Sequence, residues 1–218
     1  LMYGATKLAE KLKQDHPEIK IGFVGSHTSA LPKEVLSYSF VDFVFLNEGV
    51  YALRDLLKTN LKDKLNNVAG IGYKDKENNL ILNKSNKLVA NENMNEDLPG
   101  YSWDLLPKNK KPLDLYRSHY WHSFFSEKDR SPFAAVYSSL GCKFGCNFCM
   151  INIVNRTSHD SDITSVNSRG MRFWSPELIL KELEYLYLQG VRTCRITDEM
   201  FFLNRKYYVP ILEGIIKR

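Results

Sequence analysis

Three of the four cysteines in this chain fall in one short segment, Gly141-Cys142-Lys143-Phe144-Gly145-Cys146-Asn147-Phe148-Cys149. The spacing is Cys-x3-Cys-x2-Cys. Even cysteine counts spread through a small secreted domain indicate disulfides, whereas a tight triplet indicates a metal site kept in a reducing compartment. The expected location is therefore the cytoplasm. The fourth cysteine, Cys194, stands alone on a predicted strand and reads as a core residue, not a ligand.

Thiolates are the ligands that iron–sulfur clusters select. Three of them on one loop can hold three corners of a four-iron cubane and leave the fourth iron open to a small molecule. Gly145 suits such a loop, because wrapping a cluster needs a residue that tolerates positive φ. A simple electron carrier would need a fourth cysteine ligand. The competing reading is a structural zinc site completed by His122 or His159, although such sites usually present two ligand pairs.

The motif begins just after a predicted strand, Phe133 to Ser139. A second predicted strand, Val191 to Thr197, ends in Asp198-Glu199. In β/α barrels the loops at the carboxyl ends of strands build the active site. Asp198 and Glu199 are therefore candidates to receive the amino group of a ligand on the open iron. Their alternative role is capping. Between these strands, Ser175 and Pro176 read as N-cap and first position of a helix running to Gln189, with Gly190 just past its end. A polar loop from 155 to 170 reads as a surface loop, a lid or a recognition insert. A last helical region, Asn204 to Lys217, contains Pro210, which is expected to kink or restart it.

The first half alternates differently. Residues 5 to 15 show helical spacing, closed by His16-Pro17. Ile19 to Val24 and Val41 to Leu46 read as buried strands, each ending in a polar turn. Helices are expected at 33–39, opened by Pro32, and at Tyr51 to Thr59. This strand–turn–helix order belongs to a parallel α/β layer. Gly70 to Tyr73 and Leu80 to Leu82 flank a polar turn and read as a β-hairpin, and Asn91 to Pro107 reads as a linker. The expected divisions are 1–65, an α/β domain; 66–130, hairpin and linker; and 131–218, the start of a β/α barrel. Both ends interrupt an element, so the chain reads as a fragment.

The 218 residues carry 30 basic and 25 acidic side chains, a net charge of +5. The signs are interspersed. The densest basic run, Lys108 to Lys111, reads as a solvated loop, so nucleic acid is not expected as a partner. No apolar run is long enough to span a membrane, and no secretory signal opens the chain. The aromatics Tyr116, Tyr120, Trp121, Phe124 and Phe125 read as packing between the two halves.

The cysteine motif, with Phe148 before its last cysteine, resembles the signature of the radical S-adenosylmethionine (SAM) superfamily. That resemblance implies a 4Fe-4S cluster on Cys142, Cys146 and Cys149, with SAM chelating the open iron. Phe148 would lie against adenine, and Asp198 and Glu199 would help bind SAM. Glu199 departs from the aspartate more usual there. Reductive cleavage would release a 5′-deoxyadenosyl radical. Val24 to Glu34 and Val41 to Gly49 are similar to strands and turns of the cobalamin-binding-type domain that precedes many of these enzymes. On that likeness Gly25, Ser26, His27, Glu48 and Gly49 are candidate cobalamin contacts. Asn47 and Val50 replace two positions of its Gly-Glu-Gly-Glu turn. His27 reads equally as a locally bonded loop residue, and Glu48 as an acceptor for helix N–H groups.

The fold class implied is a partial Rossmann-like parallel sheet followed by the first part of a radical SAM barrel. The activity implied is methyl transfer or rearrangement of a small-molecule or biosynthetic-intermediate substrate, with a reductant such as flavodoxin or ferredoxin. The alternative is a zinc-stabilised α/β binding module without catalysis. Methylthio transfer with a second cluster is disfavoured, because the front half has no cysteine.

Overall fold

The computed structural model describes residues 2–105, 132–144, 146, 148–151 and 170–218. The expectations for Lys108 to Lys111, the aromatic run 116–125, His122, Gly145, His159 and the polar loop up to residue 169 lie outside the described residues. The chain divides into two compact units, Leu1–Val89 with Gly141–Gly170, and Ala90–Leu140 with Met171–Arg218.

The first unit is built on a four-stranded sheet in the order β1 (Gly22–Phe23), β2 (Phe43–Phe45), β3 (Ile71–Lys74), β4 (Leu80–Leu82). β1 and β2 are parallel, Gly22 opposite Phe43 and Phe23 opposite Val44. The hairpin β3–β4 is antiparallel and attaches to β2, with Phe45 opposite Ile71. The predicted parallel layer is thus a mixed sheet. All three residues of β2 are buried, and such a central strand needs a partner on each edge, which the hairpin supplies.

Alternation along β2 divides the core. Phe43 and Phe45 pack with Ala52 and Leu56 of α4 (Val50–Leu57), and with Val68 and Ile71. Val44 joins Val41 and the fully buried Val35 and Leu36 of α3 (Pro32–Ser37) in a separate cluster. Period-two side-chain direction therefore gives the sheet two covered faces. Helix α1 (Met2–Asp15) is tied to the sheet by Lys13, whose Nζ lies 2.9 Å from Asp42 Oδ2. A short helix, α2 (Ser26–Ala30), occupies the polar turn after β1.

The second unit contains β5 (Phe133–Val136) and β8 (Thr193–Ile196), paired in parallel with Val136 opposite Ile196. Between them lie β6 (Ser139–Cys142) and β7 (Gly170–Phe173), paired as a two-stranded ribbon through which the unit boundary runs, and α6 (Pro176–Leu188). α6 packs Leu183 and Leu186 against Ala134, Val136 and Val191. Ser175 Oγ accepts from the Leu178 N–H at 3.2 Å, and Gly190 takes φ 93°, so both predicted ends of α6 are present. The final helix, α7 (Arg205–Ile216), runs through Pro210 without restarting. Tyr207 and Ile211 are buried on it, and that packing outweighs the bond removed by proline.

Two segments differ from the sequence reading. The single strand expected over 133–139 breaks at Tyr137-Ser138 and resumes as β6, so Cys142 is the last residue of a strand. The expected linker holds a short helix, α5 (Met94–Asp97), strapped to the entrance of α6. Asn91 Oδ1 accepts from the Phe173 N–H at 2.8 Å, Asn95 Oδ1 from the Ser175 N–H at 3.0 Å, and the Leu98 carbonyl from Trp174 Nε1–H at 2.6 Å.

Candidate functional site

The three clustered cysteines are free thiols. Cys142 and Cys149 are half-buried and Cys146 is exposed. The Cys149 N–H donates to the Cys146 carbonyl at 3.1 Å, which closes a tight turn around Phe148. Gly141, with φ 91°, supplies the left-handed residue ahead of Cys142. Phe144 and Phe148 are 54% and 86% exposed, so this loop presents its aromatic rings outward, the latter being the expected adenine contact. Among the described residues no three His, Cys, Asp or Glu side chains converge closely enough to hold a metal ion. The donor set nevertheless suits a thiolate-ligated centre: three free thiols on one short segment, all three at least partly open to incoming metal. Cys194 differs. Read from the sequence as a core residue, it is instead exposed on β8; desolvation by its neighbours still pushes the thiol up to about 11, which keeps it protonated at neutral pH.

In the second unit, Asp198 follows β8 and is the acceptor of a compact polar cluster. Its Oδ1 accepts from the Ser138 N–H at 2.6 Å, and its Oδ2 from Ser138 Oγ at 2.6 Å and Ser139 Oγ at 2.5 Å. Both serines are buried. The Ser138 carbonyl accepts from the Tyr207 hydroxyl at 2.5 Å and the Trp174 N–H at 3.2 Å. Burial pushes the Tyr207 phenol up to about 12, against the lowering effect of its bond to Ser138. Thr197 closes the neighbouring step, donating its N–H and hydroxyl to the Val136 carbonyl at 2.8 and 3.0 Å. Glu199, next in sequence, is exposed. The two acidic residues expected to act alike therefore differ: Asp198 is engaged by three donors, while Glu199 faces solvent.

The five residues marked as cobalamin candidates follow two adjacent parallel strands of the first unit. Gly25, Ser26 and His27 come after β1; Glu48 and Gly49 come after β2. Carboxyl ends of parallel strands are where open α/β sheets bind ligands. The two turns are linked, since the Asn47 N–H donates to Ser29 Oγ at 2.9 Å. Gly25 adopts φ 123°, and a Cβ there would meet nothing within 4 Å, so its surroundings are open. His27 Nε2 lies 3.2 Å from Glu34 Oε1, which is the local bond anticipated as its alternative role. Glu48 Oε2 accepts from the Val89 N–H at 3.0 Å. Gly49 takes φ 71° ahead of α4, and a Cβ would stand 3.0 Å from both Phe45 and Val24. Beside these turns runs an apolar groove of about 420 Å³, lined by residues including Val24, Phe45, Glu48, Gly49, Leu53 and Leu57.

Sequence reasoning did not find Ser138, Ser139 or Tyr207. The doubled serine immediately before Leu140-Gly141-Cys142 was the available signal, since hydroxyls interrupting an apolar strand mark a break. It also missed Glu182 on α6, whose Oε2 accepts from Trp103 Nε1–H at 2.6 Å. That contact spans a long stretch of chain and leaves no local pattern.

No family model matches the chain. An uncharacterized methyltransferase from Pyrococcus horikoshii is 26% identical over 214 residues, covering 96% of this chain and 40% of that protein. Among solved structures, the cobalamin-dependent SAM radical enzyme OxsB with aqua-cobalamin bound aligns over 100% of this chain and 27% of its own, at 22% identity and TM-score 0.64. The radical SAM methyltransferase TsrM from Kitasatospora setae, solved with tryptophan and a SAM analogue, aligns over 97% of this chain and 35% of its own. Its identity is 14% and its TM-score 0.58. The chain thus spans less than half the length of each of these three proteins. Its fold is similar to parts of cobalamin-dependent radical SAM enzymes. No helix among the described residues is long and apolar enough to cross a membrane.

Proposed function

We propose that this chain is part of a cobalamin-dependent radical SAM methyltransferase, with Cys142, Cys146 and Cys149 as the ligands of a 4Fe-4S cluster. The observation that carries this reading is the set of three unpaired thiols beginning at the end of β6, in the Cys-x3-Cys-x2-Cys spacing. The likeness to OxsB and TsrM supports the fold, and the Pyrococcus relative supports methyl transfer. When bound, the cluster would supply the electron that breaks the sulfonium bond of SAM, and cobalamin would supply a transferable methyl group.

The residues of this chain bind and orient. Phe148 offers an exposed ring for stacking on adenine. Glu199 offers an exposed carboxylate for an amino group. Gly25 leaves room for close approach of a bulky ligand to the turn after β1, and the apolar groove beside Gly49 offers a surface for its apolar parts. Substrate would be a small molecule, and a flavodoxin- or ferredoxin-type protein would be the reductant.

Metal analysis after anaerobic purification and reconstitution tests the reading. About four irons and four sulfides per chain, with a broad band near 400 nm, are expected. One zinc and a colourless protein would instead establish a zinc-stabilised binding module.

A further inference from the structure

We infer that Asp198 is a positioning residue for the cysteine-bearing strand, fixing the start of β6 through Ser138 and Ser139 instead of receiving the ligand's amino group. The inference rests on the reading that Cys142, Cys146 and Cys149 hold a cluster.

Three donors converge on the Asp198 carboxylate, at 2.6, 2.6 and 2.5 Å. Two are hydroxyls on serines that are 0% and 2% exposed. Bonds of this kind, from buried donors to an ionised acceptor, are short and strong. These donors fill both acceptor sites of Oδ2 and one of Oδ1, so the carboxylate is mostly committed to the strand break and keeps at most one lone pair, on Oδ1, for any other donor.

The bonds act on one place in the chain. Ser138 sits at the break between β5 and β6, and Ser139 is the first residue of β6, whose last residue is Cys142. The same break is held from other directions. Tyr207 and the Trp174 N–H hold the Ser138 carbonyl, and Thr197 holds the Val136 carbonyl. Among the described residues, Asp198 is the charged group in this set of bonds, and it alone holds both Ser138 and Ser139, the residues at which β6 leaves β5. Glu199 remains exposed, which leaves the ligand-facing role to the second acidic residue.

Three variants of the full chain test this assignment: Asp198→Asn, the double variant Ser138→Ala with Ser139→Ala, and Glu199→Gln. In the metal-free protein, alkylation of each cysteine by iodoacetamide is followed by mass spectrometry. Asp198→Asn and the double serine variant are expected to raise the Cys142 rate by at least about threefold while Cys194 is unchanged. After anaerobic reconstitution both should load less iron per folded chain. Both should also give an altered electron paramagnetic resonance spectrum of the reduced cluster before SAM is added. Glu199→Gln should keep iron and that spectrum and lose the change that SAM induces. If Asp198→Asn does not fold, the double serine variant, which keeps the carboxylate, decides the question.

The inference is overturned if Asp198→Asn keeps the parent's Cys142 reactivity and SAM-free spectrum, whether or not it loses the SAM-induced change. A parent chain that binds no iron would defeat the cluster reading alone, because the alkylation rates still report on the clamp.

Discussion

The Tyr207 hydroxyl donates to the Ser138 carbonyl at 2.5 Å, joining the final helix to the strand break that precedes the cysteine motif. Tyr207 is 7% exposed, so neither partner can turn to water if the other is lost. Tyr207→Phe is expected to cost about 1–2 kcal/mol, measured by urea unfolding. The phenol, pushed up to about 12 in the folded chain, also makes a pH prediction. Its contribution is complete below the unfolded value of about 10 and is lost as pH rises from there through the folded value. The parent should lose stability relative to Tyr207→Phe across that alkaline window.

Asp42 binds Lys20 at 2.8 Å, Lys13 at 2.9 Å and the Ile21 N–H at 2.9 Å. Burial alone would raise its carboxyl, but these partners outweigh it and hold the group below the ordinary value. A lowered carboxyl stabilises the fold above the unfolded value of about 3.9, and that contribution disappears as pH falls through the folded value. Asp42→Asn should lower stability by about 1–2 kcal/mol at pH 7, with allowance for the partly exposed lysines, and by much less near pH 3. Thermal melts at both pH values check this.

Glu182 on α6 accepts from Trp103 Nε1–H at 2.6 Å and from the Tyr101 N–H at 3.4 Å. It therefore ties the segment before residue 106 to the second unit's helix. Glu182→Ala is expected to destabilise by about 1.5 kcal/mol and to weaken the tryptophan signal in near-ultraviolet circular dichroism.

Local signals in the sequence were reliable where the physics is local. Ser175, Pro176 and Gly190 bound α6 as their capping chemistry dictates, and the β3–β4 hairpin forms around its polar turn. Ile19 to Val24 shrank to the two residues of β1, because an edge strand is paired on one side only and Val24 stays 57% exposed. The attachment of the hairpin to β2 was not legible, since strand partnership over long separations has no periodic signature. The candidate site divides the same way. The cysteine spacing was visible at once, but the bond set that distinguishes Asp198 from Glu199 depends on residues some sixty positions upstream.

The central claim, that Cys142, Cys146 and Cys149 share one iron–sulfur cluster, is tested most directly by counting iron in four single cysteine-to-serine variants after anaerobic reconstitution. Cys142→Ser, Cys146→Ser and Cys149→Ser should each lose most of the iron, and Cys194→Ser should match the parent. Equal iron in all four variants, or loss in Cys194→Ser alone, would contradict the account.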